Sequence, residues 1–159
     1  HDPLTGLLNR GVMEKILERE FQRSKRYHID LTLIFLDLDD FKSINDTFGH
    51  DNGDLALCHI AACLNEHKRD SDIVARFAGD EFVVILPSTN SAQAKHYIDR
   101  VKNELSHSPL SANGEQFFVK LSHGVASAFE AGMESSAILL KEADKRLFEA
   151  KKRKKTLRE

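Results

Sequence analysis

The order of apolar patterns along the chain predicts an α+β domain with a βαββαβ core. Three observations carry that prediction. One is the apolar run Leu31-Thr32-Leu33-Ile34-Phe35-Leu36, another is a pair of strand-like segments joined by the tight link Ala78-Gly79-Asp80-Glu81, and the third is a set of apolar stripes of helical period around them. In chain order, Asp2-Pro3-Leu4-Thr5-Gly6 is turn chemistry, and Asn9 supplies a helix cap. Val12, Met13, Ile16, Leu17 and Phe21 then form one stripe, which predicts a first helix to about Tyr27. Residues 31–36 read as a central strand covered on both faces. Residues 41–48 read as a short helix closed by Gly49. Asn52 or Gly53 opens the next helix, with Leu55, Cys58, Ala61 and Ala62 turned inward. Residues 72–77 and 82–86 are the strands of a hairpin. Ala94, Ile98, Val101 and Leu105 mark another helix. Asn113-Gly114 is a type I′ turn signal, with a strand expected beyond it over residues 116–128. Leu140, Ala143, Leu147 and Ala150 make a last amphipathic helix that ends in a basic run. The sum is a ferredoxin-like, palm-type layout: a mostly antiparallel central sheet covered by helices. Nucleotide cyclases and polymerase palms share it, and by itself it implies no function.

Composition narrows the classes. The 159 residues contain no repeat, linker or low-complexity stretch, so residues 1–159 read as a single domain. Apolar residues make up 41% and charged residues 30%, a soluble profile, and no apolar stretch nears the roughly 20 residues of a membrane helix. With a formal charge of −2, and only Tyr27, Tyr97 and scattered phenylalanines for stacking, the chain lacks the basic aromatic platform of a nucleic-acid binder. Cys58 and Cys63 lie five apart in an apparent helix and read as small core residues of a reducing compartment rather than a bridge or a metal site. The first residue is His1 and no signal-like segment follows. The expectation is a cytoplasmic fragment of a longer protein, without membrane contact of its own. Any membrane attachment of the parent would lie in other segments.

The chemistry concentrates in two acidic pairs. Asp37-Leu38-Asp39 ends the buried strand, and alternation puts Asp37 and Asp39 on one face and Leu38 on the other. Asp80-Glu81 stands at the hairpin tip. If the hairpin lies beside the first strand, Asp37 and Asp80 converge. Carboxylates held together call for a cation, and Mg²⁺ bound by one or two carboxylates takes its remaining ligands from substrate phosphates. A nucleoside triphosphate is the natural ligand of such a site.

These residues carry a family resemblance. Arg76-Phe77-Ala78-Gly79-Asp80-Glu81-Phe82 resembles the signature loop of the GGDEF family, the diguanylate cyclases, in an AGDEF variant. Asp2, Leu4, Thr5, Gly6, Leu7, Asn9 and Arg10 resemble its opening motif. Residues 37–54, from Asp37 through Asn45, Gly49, His50 and Gly53 to Asp54, resemble its nucleotide-binding segment. Ser122, Gly124, Val125 and Ala126 resemble its last strand, and Ala143, Asp144, Leu147, Phe148, Ala150 and Lys151 its last helix. The motifs run in family order over nearly the whole chain.

The resemblance implies a Mg²⁺- or Mn²⁺-dependent nucleotidyltransferase that condenses two GTP into cyclic di-GMP with release of pyrophosphate. By the family pattern, Asp37, the Leu38 carbonyl and Asp80 hold the metal, and Asp80 or Glu81 helps take the proton from the attacking 3′-hydroxyl. Asn45 and Asp54 recognise the guanine edge, with His50 close by. The Phe41 and Lys42 amides touch the terminal phosphates, and Lys151 and Lys155 reach them from the last helix. Each domain holds one GTP, so turnover requires a homodimer. Arg69-Asp70-Ser71-Asp72 stands five residues before Ala78 and resembles the family's RxxD inhibitory motif. It implies a product site built on Arg69 and Asp72, to which Arg100 adds a further cation. Two departures stand out. Ala78 replaces the usual glycine, which costs roughly 1–2 kcal/mol if its φ is positive and little otherwise. Lys154-Lys155 replaces a frequent Gly-Arg, which keeps the charge at the second position but loses the bidentate fork. The alternative function is a weak or inactive domain that serves as a cyclic di-GMP receptor or a GTP-sensing module.

Overall fold

The structure is a computed structural model and describes residues 1–158. In chain order the elements are α1 (Arg10–Tyr27), β1 (Leu31–Leu38), α2 (Phe41–Phe48), α3 (His50–His67), β2 (Ile73–Ala78), β3 (Glu81–Pro87), α4 (Ser91–His107), β4 (Leu110–Ala112), β5 (Glu115–Phe117), β6 (Leu121–Ser127) and α5 (Ser136–Arg158). The main sheet has the order β2-β3-β1-β6, and every neighbouring pair is antiparallel. β1 and β2 are thus parallel across β3, and β3 and β6 are parallel across β1. This is the interleaved βαβ arrangement expected from the sequence.

β1 is apolar almost throughout because helices cover both of its faces. Leu31, Leu33 and Phe35 pack with Met13, Leu17 and Phe21 of α1 and with Leu139, Ala143 and Leu147 of α5. Ile34, Leu36 and Leu38 pack with Leu57, Ile60 and Leu64 of α3 and with Ala94, Ile98 and Val101 of α4. The buried Thr32 escapes the polar penalty because its hydroxyl donates to the Thr89 carbonyl at 2.7 Å. α5 lies close on β6 because Gly124 has no side chain. A Cβ there would strike the Ala143 carbonyl and the Leu147 amide.

Four details differ from the sequence reading. α3 begins at His50, not at Asn52 or Gly53, because Gly49 (φ 90°) both ends α2 and starts α3: its N–H donates to Asn45 and its carbonyl accepts from Gly53. The inward row of α3 is Gly53, Ala56, Leu57, Ile60, Ala61, Cys63 and Leu64, while Leu55 and Ala62 face solvent. The strand expected over 116–128 is two: β5 pairs only with β4 around the Asn113-Gly114 turn, and β6 joins the main sheet. The hairpin link narrows to Gly79-Asp80, since Ala78 pairs with Glu81.

The opening turn is strapped to the outer edge of β2. Asp2 accepts from the Thr5 amide at 2.8 Å and the Thr5 hydroxyl at 2.7 Å, and Arg76 of β2 reaches the same carboxylate at 3.2 Å. The Arg76 amide donates to the Leu8 carbonyl at 2.9 Å. Among the described residues no helix is long and apolar enough to cross a membrane.

Candidate active site

The two acidic pairs meet. Asp37 faces Glu81 in the β1–β3 register, and the Leu38 amide donates to the Asp80 carbonyl at 3.1 Å, which fixes the hairpin tip beside the end of β1. Burial, together with hydrogen bonding to and repulsion from Asp80, pushes the Asp37 carboxyl up to about 7, although Lys151 lies 2.5 Å away. Burial, Asp144 and Asp80 likewise raise Glu81 against the pull of Lys151 and Arg10. One oxygen of Asp37 is held by Lys151, while its Oδ1 is buried without a hydrogen-bond partner. Crowded carboxyls with one orphaned oxygen are a donor set suited to a hard divalent cation such as Mg²⁺. Ala78 does not strain this loop. Among the described residues the left-handed non-glycines are His28, Asp40, Ser88 and Asn113, and Ala78 is an exposed strand residue.

Beyond β1 the chain turns through Asp40, held at φ 56°, into α2. No side chain caps this helix, so the amides of its first turn, at Phe41 and Lys42, stay open to an anion. On α2, Asn45 leans against α3. A Cβ at Gly53 would collide with the Asn45 amide group, and the Phe41 ring lies 3.3 Å from the same point. The Asn45 Oδ1 is buried and unpartnered. It offers an acceptor to a ligand bearing N–H donors, and the exposed His50 and Asp54 flank it from α3.

The last helix supplies cations. Lys151 pairs with Asp37, Lys154 with Asp39 at 2.7 Å, and Arg158 with Asp40 at 3.1 Å. Ser122 of β6 also donates to Asp39, at 2.6 Å. Lys155 makes no such pair but lines the same hollow of about 280 Å³ with Lys151, Lys154 and Arg158. The sequence reading gave no site role to Lys154, Arg158, Ser122 or Gly53, and none to the Asp2–Arg76 strap. The first two had a signal: residues 151, 154 and 158 follow helical spacing on one face.

Arg69, Asp72 and Arg100 also come together, at the far end of β2. They line a hollow of about 310 Å³ with His67, Gln93, His96 and Tyr97. Asp72 is buried, and it holds the Arg69 guanidinium at 3.0 Å and the Arg69 amide at 2.8 Å. Pro87 and Thr89 take further donors of Arg69 at 2.8 and 2.6 Å. Asp72 therefore acts as the orienter of Arg69, and Arg69 and Arg100 present the exposed charge. The six residues of β2 put this hollow roughly 20 Å from the Asp37–Asp80 pair.

The family described as diguanylate cyclase, GGDEF domain, matches residues 1–156. Diguanylate cyclase DgcP of Pseudomonas aeruginosa is 41% identical over 151 residues, which cover 95% of this chain and 22% of that protein. The chain thus spans about a fifth of that curated relative's length. The solved GGDEF domain of TpbB (YfiN) from Pseudomonas aeruginosa is 35% identical and superposes with a TM-score of 0.89 over 96% of this chain and 89% of that one. The GGDEF domain of DgcB from Caulobacter crescentus, solved in complex with c-di-GMP, is 27% identical, with a TM-score of 0.89 over 95% of this chain and 86% of that one.

Proposed function

The chain belongs to the diguanylate cyclase GGDEF domain family, and we propose that it condenses two GTP into cyclic di-GMP and pyrophosphate. One observation carries the reading: Asp37 and Asp80 meet beside the uncapped start of α2, and one oxygen of Asp37 is buried without a hydrogen-bond partner. Asp37, the Leu38 carbonyl and Asp80 would hold Mg²⁺ or Mn²⁺. When bound, the ion supplies charge neutralisation at the phosphates. The open Phe41 and Lys42 amides receive the terminal phosphates. Asn45 and Asp54 read the guanine edge, with His50 at its side, and the orphaned Asn45 oxygen accepts from a guanine N–H.

Lys151 donates to the Asp37 carboxyl at 2.5 Å. Lys151 and Lys155 would contribute their ammonium groups to the phosphates, reaching the same hollow from α5. The 3′-hydroxyl oxygen of one GTP attacks the α-phosphorus of the other, and pyrophosphate leaves. Asp80 and Glu81 are the candidate proton acceptors. Burial and its acidic neighbours Asp144 and Asp80 raise the Glu81 carboxyl. Each domain carries one nucleotide, so two domains face each other in turnover.

The exposed guanidiniums of Arg69 and Arg100 suit a guanine face or a phosphate, which supports a product-binding hollow remote from the chemistry. That hollow is also what favours the second reading, a cyclic di-GMP receptor. One experiment separates the two: purified domain, GTP and Mg²⁺, with cyclic di-GMP and pyrophosphate followed over a range of protein concentration. Cyclase activity appears as product whose specific rate rises with concentration, falls when cyclic di-GMP is added, and drops at least about 100-fold in Asp80→Ala. No product, with cyclic di-GMP binding lost in Arg69→Ala, supports the receptor instead.

A further inference from the structure

We infer that Cys63, His67 and Glu104 form a binding site for a zinc-class divalent ion that cross-links α3 to α4. The Cys63 thiol lies 2.8 Å from Glu104 Oε2, and His67 Nε2 lies 2.7 Å from the same oxygen. The three donor atoms all fall within 4.8 Å of one another. Cys63 and His67 are one turn apart on the same face of α3, the spacing that aims two ligands at one point. Glu104 comes from the facing helix, α4. A mixed thiolate, imidazole and carboxylate set is a zinc donor set, and three protein ligands leave a fourth position for water.

Tetrahedral zinc with bonds of about 2.0–2.3 Å needs its ligands roughly 3.5 Å apart. The two edges at Glu104, 2.8 and 2.7 Å, open to reach that spacing. The backbone under it is already braced, because the Tyr97 hydroxyl of α4 donates to the Leu64 carbonyl of α3 at 2.7 Å. Cys63 is buried, while His67 and Glu104 keep partial exposure, so the ion enters from the solvent side. On binding, the thiol proton passes to solvent and the sulfur ligates as thiolate. Two cysteines five residues apart do not disclose such a site, because its other ligands come from the next turn and from another helix. Cys58 takes no part, since its thiol points to the Leu4 carbonyl. The site is separate from the Asp37–Asp80 pair, and the inference does not depend on the nucleotide reading.

The test uses the whole chain in excess Mg²⁺, which occupies hard carboxylate sites. Co²⁺ serves as a spectroscopic stand-in for zinc, and zinc affinity is then measured by competition. The expected result is one equivalent of Co²⁺ with a sulfur-to-metal charge-transfer band. The band persists in Cys58→Ser and is lost in Cys63→Ser. Zinc affinity falls about tenfold or more in His67→Gln and Glu104→Gln, whose partly exposed sites tolerate substitution. A cobalt complex without the sulfur band, a band that depends on Cys58, equal zinc affinity in wild type and His67→Gln, or no binding at all overturns the assignment.

Discussion

At the scale of single residues, two orphaned oxygens define what the candidate site asks of a ligand. Asp37 Oδ1 wants a cation and Asn45 Oδ1 wants an N–H donor, and both are buried without a partner. Gly53 makes the second possible by having no side chain where Asn45 lies. In Gly53→Ala the new methyl group displaces the Asn45 amide, so GTP affinity falls about tenfold or more and discrimination against ATP weakens with it. Competition binding with the two nucleotides measures both. Asp37 gives a pH signature. Its carboxyl sits at about 7 in the folded chain against an ordinary 3.8, so between those values the folded state holds a proton that the unfolded state has lost. Stability contributed by this group is therefore lost as pH rises through that window, and a cation that takes the carboxylate expels the proton. Binding of Mg²⁺ and GTP at about pH 6 releases a proton that is no longer released above about pH 8, nor in Asp37→Asn. Calorimetry in buffers of different ionisation heat reads it directly.

At the scale of elements, the hairpin tip is aimed from outside. Burial works against ionisation of Asp2, but hydrogen bonds from Thr5 and the charge of Arg76 outweigh it and hold the carboxyl below its usual range. That strap ties the opening turn to β2, and β2 carries the tip that presents Asp80. Asp2→Ala removes a part-buried, charge-assisted contact and lowers stability by about 1–3 kcal/mol. It also slows turnover under conditions where the domain remains folded. Urea midpoints and GTP turnover on the same sample check the pair of effects. Unchanged turnover would mean that β3 positions the tip without help. On the other flank, α5 is seated by Gly124, and its basic row then reaches Asp37, Asp39 and Asp40 from one helix face. Lys154, not Lys155, matches Asp39 because helical spacing carries Lys155 off that row.

At the scale of the whole molecule, the layout was legible because its signals are local. The unbroken apolar run announced a strand covered twice, and the stripes and turns announced its neighbours. What escaped depends on contacts between distant segments. Gly49 serves two helices at once, so the start of α3 reads late in the sequence. Residues 115–127 divide between two sheets, which their composition does not show. The acidic pairs were visible one by one, but their convergence rests on β3 lying between β1 and β2. Asp72 was legible as part of the arginine motif, but its burial and its hold on the Arg69 guanidinium were not. The same hairpin carries the acidic site at its tip and the arginine hollow at its base, so one element joins the two.

The claim on which this account turns is that Asp37 and Asp80 act on one cation. A double-mutant cycle on Mn²⁺-dependent GTP binding, with Asp37→Asn, Asp80→Asn and the pair, measures it most directly. Each single change is expected to weaken metal-dependent binding strongly and the double change to add little more, a coupling of about 1–3 kcal/mol. Losses that simply add, or a single variant that binds Mn²⁺ and GTP as the wild type does, would contradict it.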